Sequence, residues 1–241
     1  NNPDLLSPQK VRNRFTEIGL KAGPEARNEK KQKQQELKDA IAEWYEIRFG
    51  KTIDSKSEIL VVYSAEQSLV NVAQAFINPD EGILLPSPTR PVFMVASILA
   101  GGTAFPMALR EEKGFLPDYE AIDRRSLDRS RLLFLNFPSN PTTVMATEEF
   151  AKRTIEFSRK TDLVVCYDNT YSEIYFDNNR PLSLFQLPEV RQGFVMEFYS
   201  LSTTLSLSDI PVGFFIGHKK LIENMSKIFR CVENELPLSV I

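Results

Sequence analysis

Seven short runs rich in β-branched and aromatic residues, at 58–63, 82–86, 103–107, 131–136, 163–167, 193–199 and 212–217, constrain this chain more than any other feature. Most are apolar at nearly every position instead of alternating. Such continuity marks strands covered on both faces, since a strand with one wet face alternates. Helical patterns separate several of the runs. The expected fold class is therefore α/β, with three layers, α/β/α, around a mostly parallel seven-stranded sheet.

Between Gln34 and Phe49, the side chains Leu37, Ile41, Trp44, Tyr45 and Phe49 fall near one helical face, and Gly50 supplies a stop. Ser64-Ala65-Glu66-Gln67 has capping-box spacing and opens a helix to about Ile77, ahead of Asn78-Pro79. Another starts at Thr147 and reaches about Lys160. A last helix spans roughly Lys219 to Val232, with Leu221, Met225, Ile228 and Val232 inward.

With 241 residues, 42% hydrophobic and 25% charged, the chain can bury a sizeable core as one large domain. Its 29 basic and 32 acidic residues leave a formal charge of -3, which argues against general affinity for nucleic acid. No apolar stretch approaches the ~20 residues of a membrane span. The N-terminus shows no charged-then-apolar leader, so the expected location is cytoplasmic. Arg27, Lys30, Lys31, Lys33 and Lys38 are interleaved with Gln and Glu and read as a solvated helix face. Cys166 and Cys231 are expected as buried free thiols, and with His218 as the lone histidine no metal site is expected.

Six stretches follow one another in a telling order: Ala42-Glu43-Trp44-Tyr45-Glu46-Ile47-Arg48-Phe49-Gly50, Ala100-Gly101-Gly102, Gly114-Phe115-Leu116-Pro117-Asp118, Leu135-Asn136-Phe137-Pro138-Ser139-Asn140-Pro141-Thr142, Tyr171-Ser172-Glu173-Ile174 and Tyr199-Ser200-Leu201-Ser202-Thr203-Thr204. In sequence and spacing they resemble the class I/II pyridoxal-phosphate-dependent aminotransferases of fold type I, LL-diaminopimelate aminotransferases most of all. The resemblance implies an N-terminal helical segment over residues 1–50 and the family's large, cofactor-binding domain over 51–241. The family's C-terminal small domain has no counterpart here, so a fragment or a shortened relative is expected.

The resemblance also implies a cofactor site at the loops leaving the carboxyl ends of the strands. Asp168 matches the aspartate that pairs with the pyridine nitrogen, so that the ring acts as an electron sink. Asn140 and Tyr171 match the pair that hydrogen-bonds the cofactor's phenolic oxygen. Read without the resemblance, Asp168 is a strand-end cap and Asn140-Pro141 a turn signal. An unusual backbone is expected there, with a cis bond before Pro141 as the candidate. Ser64, Ser200 and Ser202 are the hydroxyls left for a phosphate, although a plain helix N-cap explains Ser64 equally well.

Other positions depart from the family's pattern. Thr203 stands where the Schiff-base lysine is expected, and a hydroxyl forms no imine. Pro211 stands at the place of a phosphate-binding arginine, and Gln67-Ser68 replaces a glycine that gives a ligand room. Arg90, in Pro88-Thr89-Arg90-Pro91, takes the place of an aromatic ring that stacks on the cofactor. It can stack too, but beside a protonated pyridine it brings like charge. Residues that partners contribute across the family's dimer fall at about Asn28 and Lys33.

Two classes of function follow. One is a non-catalytic family member with a degenerate site and no catalytic residue, kept for pairing with an active paralogue or another protein. The other is a lysine-independent enzyme with pyridoxal or pyridoxamine phosphate held non-covalently and another group moving the proton. A third reading, in which the polar residues only cap loops and no ligand binds, stays open. The cofactor implied is pyridoxal phosphate, non-covalent if bound. The partners implied are a second copy or a related chain, through Leu5 to Leu20 and the loops after Pro86 and Tyr199, and an amino-acid-like ligand.

Overall fold

A computed structural model describes residues 24–207 and 211–232, the side chains of 24–28 and 232 apart. All seven predicted runs are strands: β1 (Ile59–Val62), β2 (Gly82–Ser87), β3 (Thr103–Ala108), β4 (Ser130–Asn136), β5 (Val164–Asp168), β6 (Phe194–Ser200) and β7 (Gly213–Gly217). They form one sheet in the order β1-β7-β6-β5-β4-β2-β3, in which β7 alone opposes its neighbours. The centre explains the continuous apolar runs, since every residue of β5 and all but Arg131 of β4 are buried. At the edge, β3 alternates from Phe105 onward and carries Pro106, which an edge strand tolerates.

The helices are α1 (Pro24–Phe49), α2 (Ala65–Phe76), α3 (Pro91–Leu99), α4 (Arg124–Arg129), α5 (Glu148–Thr161), α6 (Leu201–Thr204) and α7 (Lys219–Val232). On one face of the sheet, α2, α3 and α7 bury Leu69, Phe93 and Met225 against Phe134, Phe198 and Phe215. The other face is covered twice. Phe150 and Ile155 of α5 pack on Val165 and Leu133, while α1 brings Ile41, Tyr45 and Phe49 onto Tyr199 and Phe214.

Several expectations change. α1 begins ten residues before Gln34, in a polar stretch that favours helix through its Glu, Lys, Gln and Ala content instead of an apolar stripe. α3 was missed because its run is apolar all round; Pro91 at its first turn is the signal that marks it. On α7 the buried stripe is Ile222, Met225 and Phe229, with Leu221 and Ile228 flanking it. The capping box at α2 is half formed. Ser64 Oγ accepts the Gln67 amide at 3.4 Å, but the Gln67 side chain turns forward to Asn71. Cys166 is buried, and burial pushes its thiol pKa up, whereas Cys231 is exposed on the polar side of α7. Leu5 to Leu20 lie outside the described residues. Among those described, no helix is long and apolar enough to cross a membrane.

Where α1 meets the sheet, a fully buried carboxyl group ties three segments together. Glu197 of β6 accepts hydrogen bonds from Asn169 Nδ2 at 2.6 Å and from Tyr199 Oη and Ser183 Oγ, both at 2.7 Å. Ser183 is bonded in turn to Tyr45 of α1. Burial raises the pKa of Glu197 to about 7, with the bonds from Tyr199, Ser183 and Asn169 opposing the rise. The folded pKa lies above the ordinary 4.5, so the native state holds a proton that the unfolded chain releases. This contribution to stability is full below the unfolded pKa and is lost as pH rises through 7. The shift corresponds to roughly 3 kcal/mol. Glu197→Gln removes the charge at nearly constant volume, so the stability of wild type relative to this variant should fall by roughly that amount between pH 4.5 and pH 8. Urea melts across that range test it, and a difference independent of pH would remove Glu197 as the titrating group.

Candidate cofactor site

Three neighbouring parallel strands, β2, β4 and β5, end on the same edge, where the strand order reverses from the β2-to-β3 direction to the β4-to-β6 direction. Such a switch point opens a crevice beyond the strand ends. Arg90 follows β2, Asn140 follows β4, and Asp168 is the last residue of β5. The ends are locked to one another: Asn136 Nδ2 donates to the Asp168 carbonyl at 2.9 Å, and Asn136 Oδ1 accepts the Asn140 amide at 2.9 Å. The Asn140–Pro141 bond is cis.

These residues come together. Asn140 Nδ2 donates to Tyr171 Oη at 3.1 Å. Asp168 is fully buried, and its Oδ1 accepts the Thr170 amide at 3.1 Å and the Thr170 hydroxyl. Its other oxygen, Oδ2, is taken by Arg90 Nη1. Arg90 Nη2 reaches Glu66 on the first turn of α2, and the guanidinium carbon stands 5.6 Å from the Tyr171 ring centroid. A buried cation with a carboxylate on each side is a feature that residue-by-residue comparison missed. The available signal was charge balance, because an arginine entering a crevice that already holds a buried aspartate has an obvious partner.

The hydroxyls assigned to a phosphate are engaged locally. Ser64 caps α2. Ser200 Oγ accepts the Thr203 amide at 3.2 Å and lies 3.1 Å from the Thr203 hydroxyl, while Ser202 Oγ meets the Val212 amide at 3.0 Å. Gly213 draws these pieces close, because a Cβ there would come within 2.8 Å of the Ala65 nitrogen and the Tyr199 oxygen. Pro211 is half-buried beside them, and 208–210 lie outside the described residues. Lys219 and Lys220 follow β7, which runs away from this edge and pairs Gly217 with Met196, so both stand at the opposite end of the sheet.

The profile of the family described as aminotransferase class I and II matches residues 1–232. The chain belongs to that family. It is 37% identical over 191 residues to an LL-diaminopimelate aminotransferase of Natranaerobius thermophilus, an alignment covering 79% of this chain and 49% of the relative. It is 30% identical over 230 residues to that of Aquifex aeolicus, covering 94% and 58%. Among solved structures, apo BacF from Bacillus subtilis superposes with a TM-score of 0.88 at 27% identity, covering 99% of this chain and 63% of that one. The chain thus spans about half the length of the curated relatives it matches.

Pyridoxal phosphate is the cofactor of class I and II aminotransferases, and the residues present fit it only in part. Asn140 and Tyr171 form the paired donor and acceptor expected beside a phenolic oxygen. The nitrogen end does not fit, because the carboxylate oxygen open to a ring N–H already holds the Arg90 guanidinium, a like charge to any protonated pyridine.

The loop that carries Tyr171 is fastened from behind. Arg48 of α1 donates from Nε to Glu173 at 2.9 Å and from Nη2 to the Ser172 and Pro181 carbonyls at 3.2 and 3.3 Å, and it lies over the Phe49 ring. Two of the stretches that carry the family resemblance, around Trp44 and around Tyr171, thereby meet in one ion pair. Its side chains are 9% and 22% exposed, so solvent screening is modest and loss of Arg48 strands Glu173 and two carbonyls. Arg48→Met should cost about 3 kcal/mol and loosen residues 169–182 before the rest of the domain. Limited proteolysis and amide hydrogen exchange would show that loop opening first; unchanged protection there would deny Arg48 this role.

Proposed function

We propose that this chain is an aminotransferase-family large domain whose cofactor site is degenerate, and that it does not carry out ordinary transamination. The observation that supports this best is the Arg90 guanidinium seated on Asp168, which sets a cation where the ring nitrogen of the family's cofactor belongs. Two further features agree. Thr203, at the place that resemblance gives to the Schiff-base lysine, offers a hydroxyl turned to Ser200, and Lys219 and Lys220 stand at the far edge of the sheet. Asn140 bonded to Tyr171 supports the second reading, a lysine-independent enzyme, since that pair would still bias the electronics of a bound ring.

Borohydride treatment with pyridoxal phosphate, followed by intact-mass measurement, should give no stoichiometric pyridoxyl adduct. An adduct on one lysine would overturn the proposal. A cofactor absorbance that is perturbed but borohydride-inert, with turnover of an amino acid, would favour the second reading.

The retained role we propose is assembly with a second copy or a related chain. The loop after β2 leads directly into α3, where Met94, Val95, Ile98 and Leu99 form an exposed apolar face. Contiguous apolar surface on a helix marks an interaction site more often than chance exposure does. Sedimentation of the full polypeptide should give a dimer, and Ile98→Glu with Leu99→Lys should shift it to monomer without lowering the melting temperature of the monomeric fold. A monodisperse wild-type monomer at micromolar concentration would sink the assembly.

A further inference from the structure

We infer that Arg90 is a built-in substitute for the ring cation: the crevice is occupied by its own side chain, and once that side chain is removed the ligands able to take its place on Asp168 are planar cations that present an N–H. The inference rests on the proposed degenerate site, but it concerns Arg90 alone. Asp168 is completely buried and its two oxygens have different partners, with Thr170 on one and Arg90 on the other. An unpaired carboxylate in such a place is costly, so a chain that releases its cofactor's cation needs another. Arg90 meets that need without leaving its own segment. Pro91 fixes the start of α3 directly behind it, and the arginine itself is the N-cap residue, 6% exposed.

The rest of the pocket suits a flat cation. The Tyr171 ring lies 5.6 Å from the guanidinium carbon, at cation–π distance, and Glu66 closes the outer side. Two carboxylates converge on one guanidinium. Removing that guanidinium leaves a site with an excess negative charge, one aromatic wall and one buried acceptor. A protonated pyridine or a free guanidinium satisfies all three features. A spherical alkali cation satisfies the charge alone.

The test is a thermal-melting cycle on the full polypeptide, comparing wild type, Arg90→Ala, and Arg90→Ala combined with Asp168→Asn, each with pyridoxal phosphate, with low-millimolar guanidinium chloride, and with sodium chloride as control. Wild type should show no shift with any of the three. Arg90→Ala should melt roughly 10 °C lower, the size expected when a buried pair loses one partner in a domain of this length. Guanidinium should restore at least part of that loss, pyridoxal phosphate less because its phosphate makes it a net anion, and sodium none. The double variant should regain stability and ignore both ligands, because the orphaned charge is gone.

An Arg90→Ala protein that melts with wild type and ignores both ligands would overturn the inference, and so would a wild type that pyridoxal phosphate stabilises as much as it does Arg90→Ala. If Arg90→Ala does not fold at all, the double variant decides. Recovery of a folded protein supports Arg90 as the counter-ion of Asp168, and failure of both variants assigns it another role. A borohydride-stable adduct on wild type would defeat the proposed function, whereas this cycle can fail without touching that result.

Discussion

The register between β4 and β5 sets everything at the crevice. Asn136 pairs with Asp168 across the ladder, and the Asn136 side chain then bonds forward to the Asn140 amide and sideways to the Asp168 carbonyl. One asparagine therefore fixes two loops at once, one bearing Asn140 and the other bearing Tyr171. A slip of one residue would turn Asp168 to the other face of the sheet, where Val165 and Tyr167 already pack with Phe137 and Phe150. The buried rows on both sides of these strands, Leu133 and Leu135 facing α5, Phe134 facing α3, forbid that slip.

Given that frame, the Arg90–Asp168 pair becomes a matter of solvation. Burial by itself would pull the Arg90 pKa down, but the charge of Asp168, the neighbouring Tyr171, the Asp168 hydrogen bond and Glu66 together outweigh it, and the net direction is upward. A guanidinium is the cation best suited to such a site, being planar, weakly hydrated and never deprotonated. A lysine at the same place would trade a fork of donors for a point charge that prefers water. Such a buried pair adds little net stability over a well-packed apolar pair, yet removal of either member is expensive. The arrangement is easy to keep and hard to leave by single substitutions.

Much of the fold was legible because burial on both faces writes itself into β4, β5 and β7 as uninterrupted apolar runs. Strand order was not legible, since nothing in a local run records its neighbour, and the reversed direction of β7 left no mark in Gly213–Gly217. α3 was hidden by being apolar throughout, and the first turns of α1 by being polar throughout; in both, the 3.6-residue contrast that reveals a helix is missing. At the site, resemblance supplied Asn140, Asp168 and Tyr171, which do converge. It missed Glu66 and the Arg90–Asp168 pair, because a residue set against a family pattern is read as present or lost. The contacts that a replacement makes with its new neighbours come from three-dimensional charge balance, which neither spacing nor motif encodes.

Asp168 and Asn169, adjacent in sequence, serve opposite faces. Asp168 turns to the crevice, and Asn169 turns to Glu197, Tyr199 and the Leu182 carbonyl behind it. Arg90 lies on the crevice side, and neither it nor Thr203 nor Pro211 contributes to the three apolar clusters that build the domain. The rear face holds the groups that bind α1 to the sheet: the Glu197 cluster, the Arg48–Glu173 pair and the rings of Trp44, Tyr45, Tyr199 and Phe214. The crevice and the fold are thus built by separate sets of side chains that share only a strand end. In such a structure a substitution at the crevice leaves the packing that defines the fold as it was.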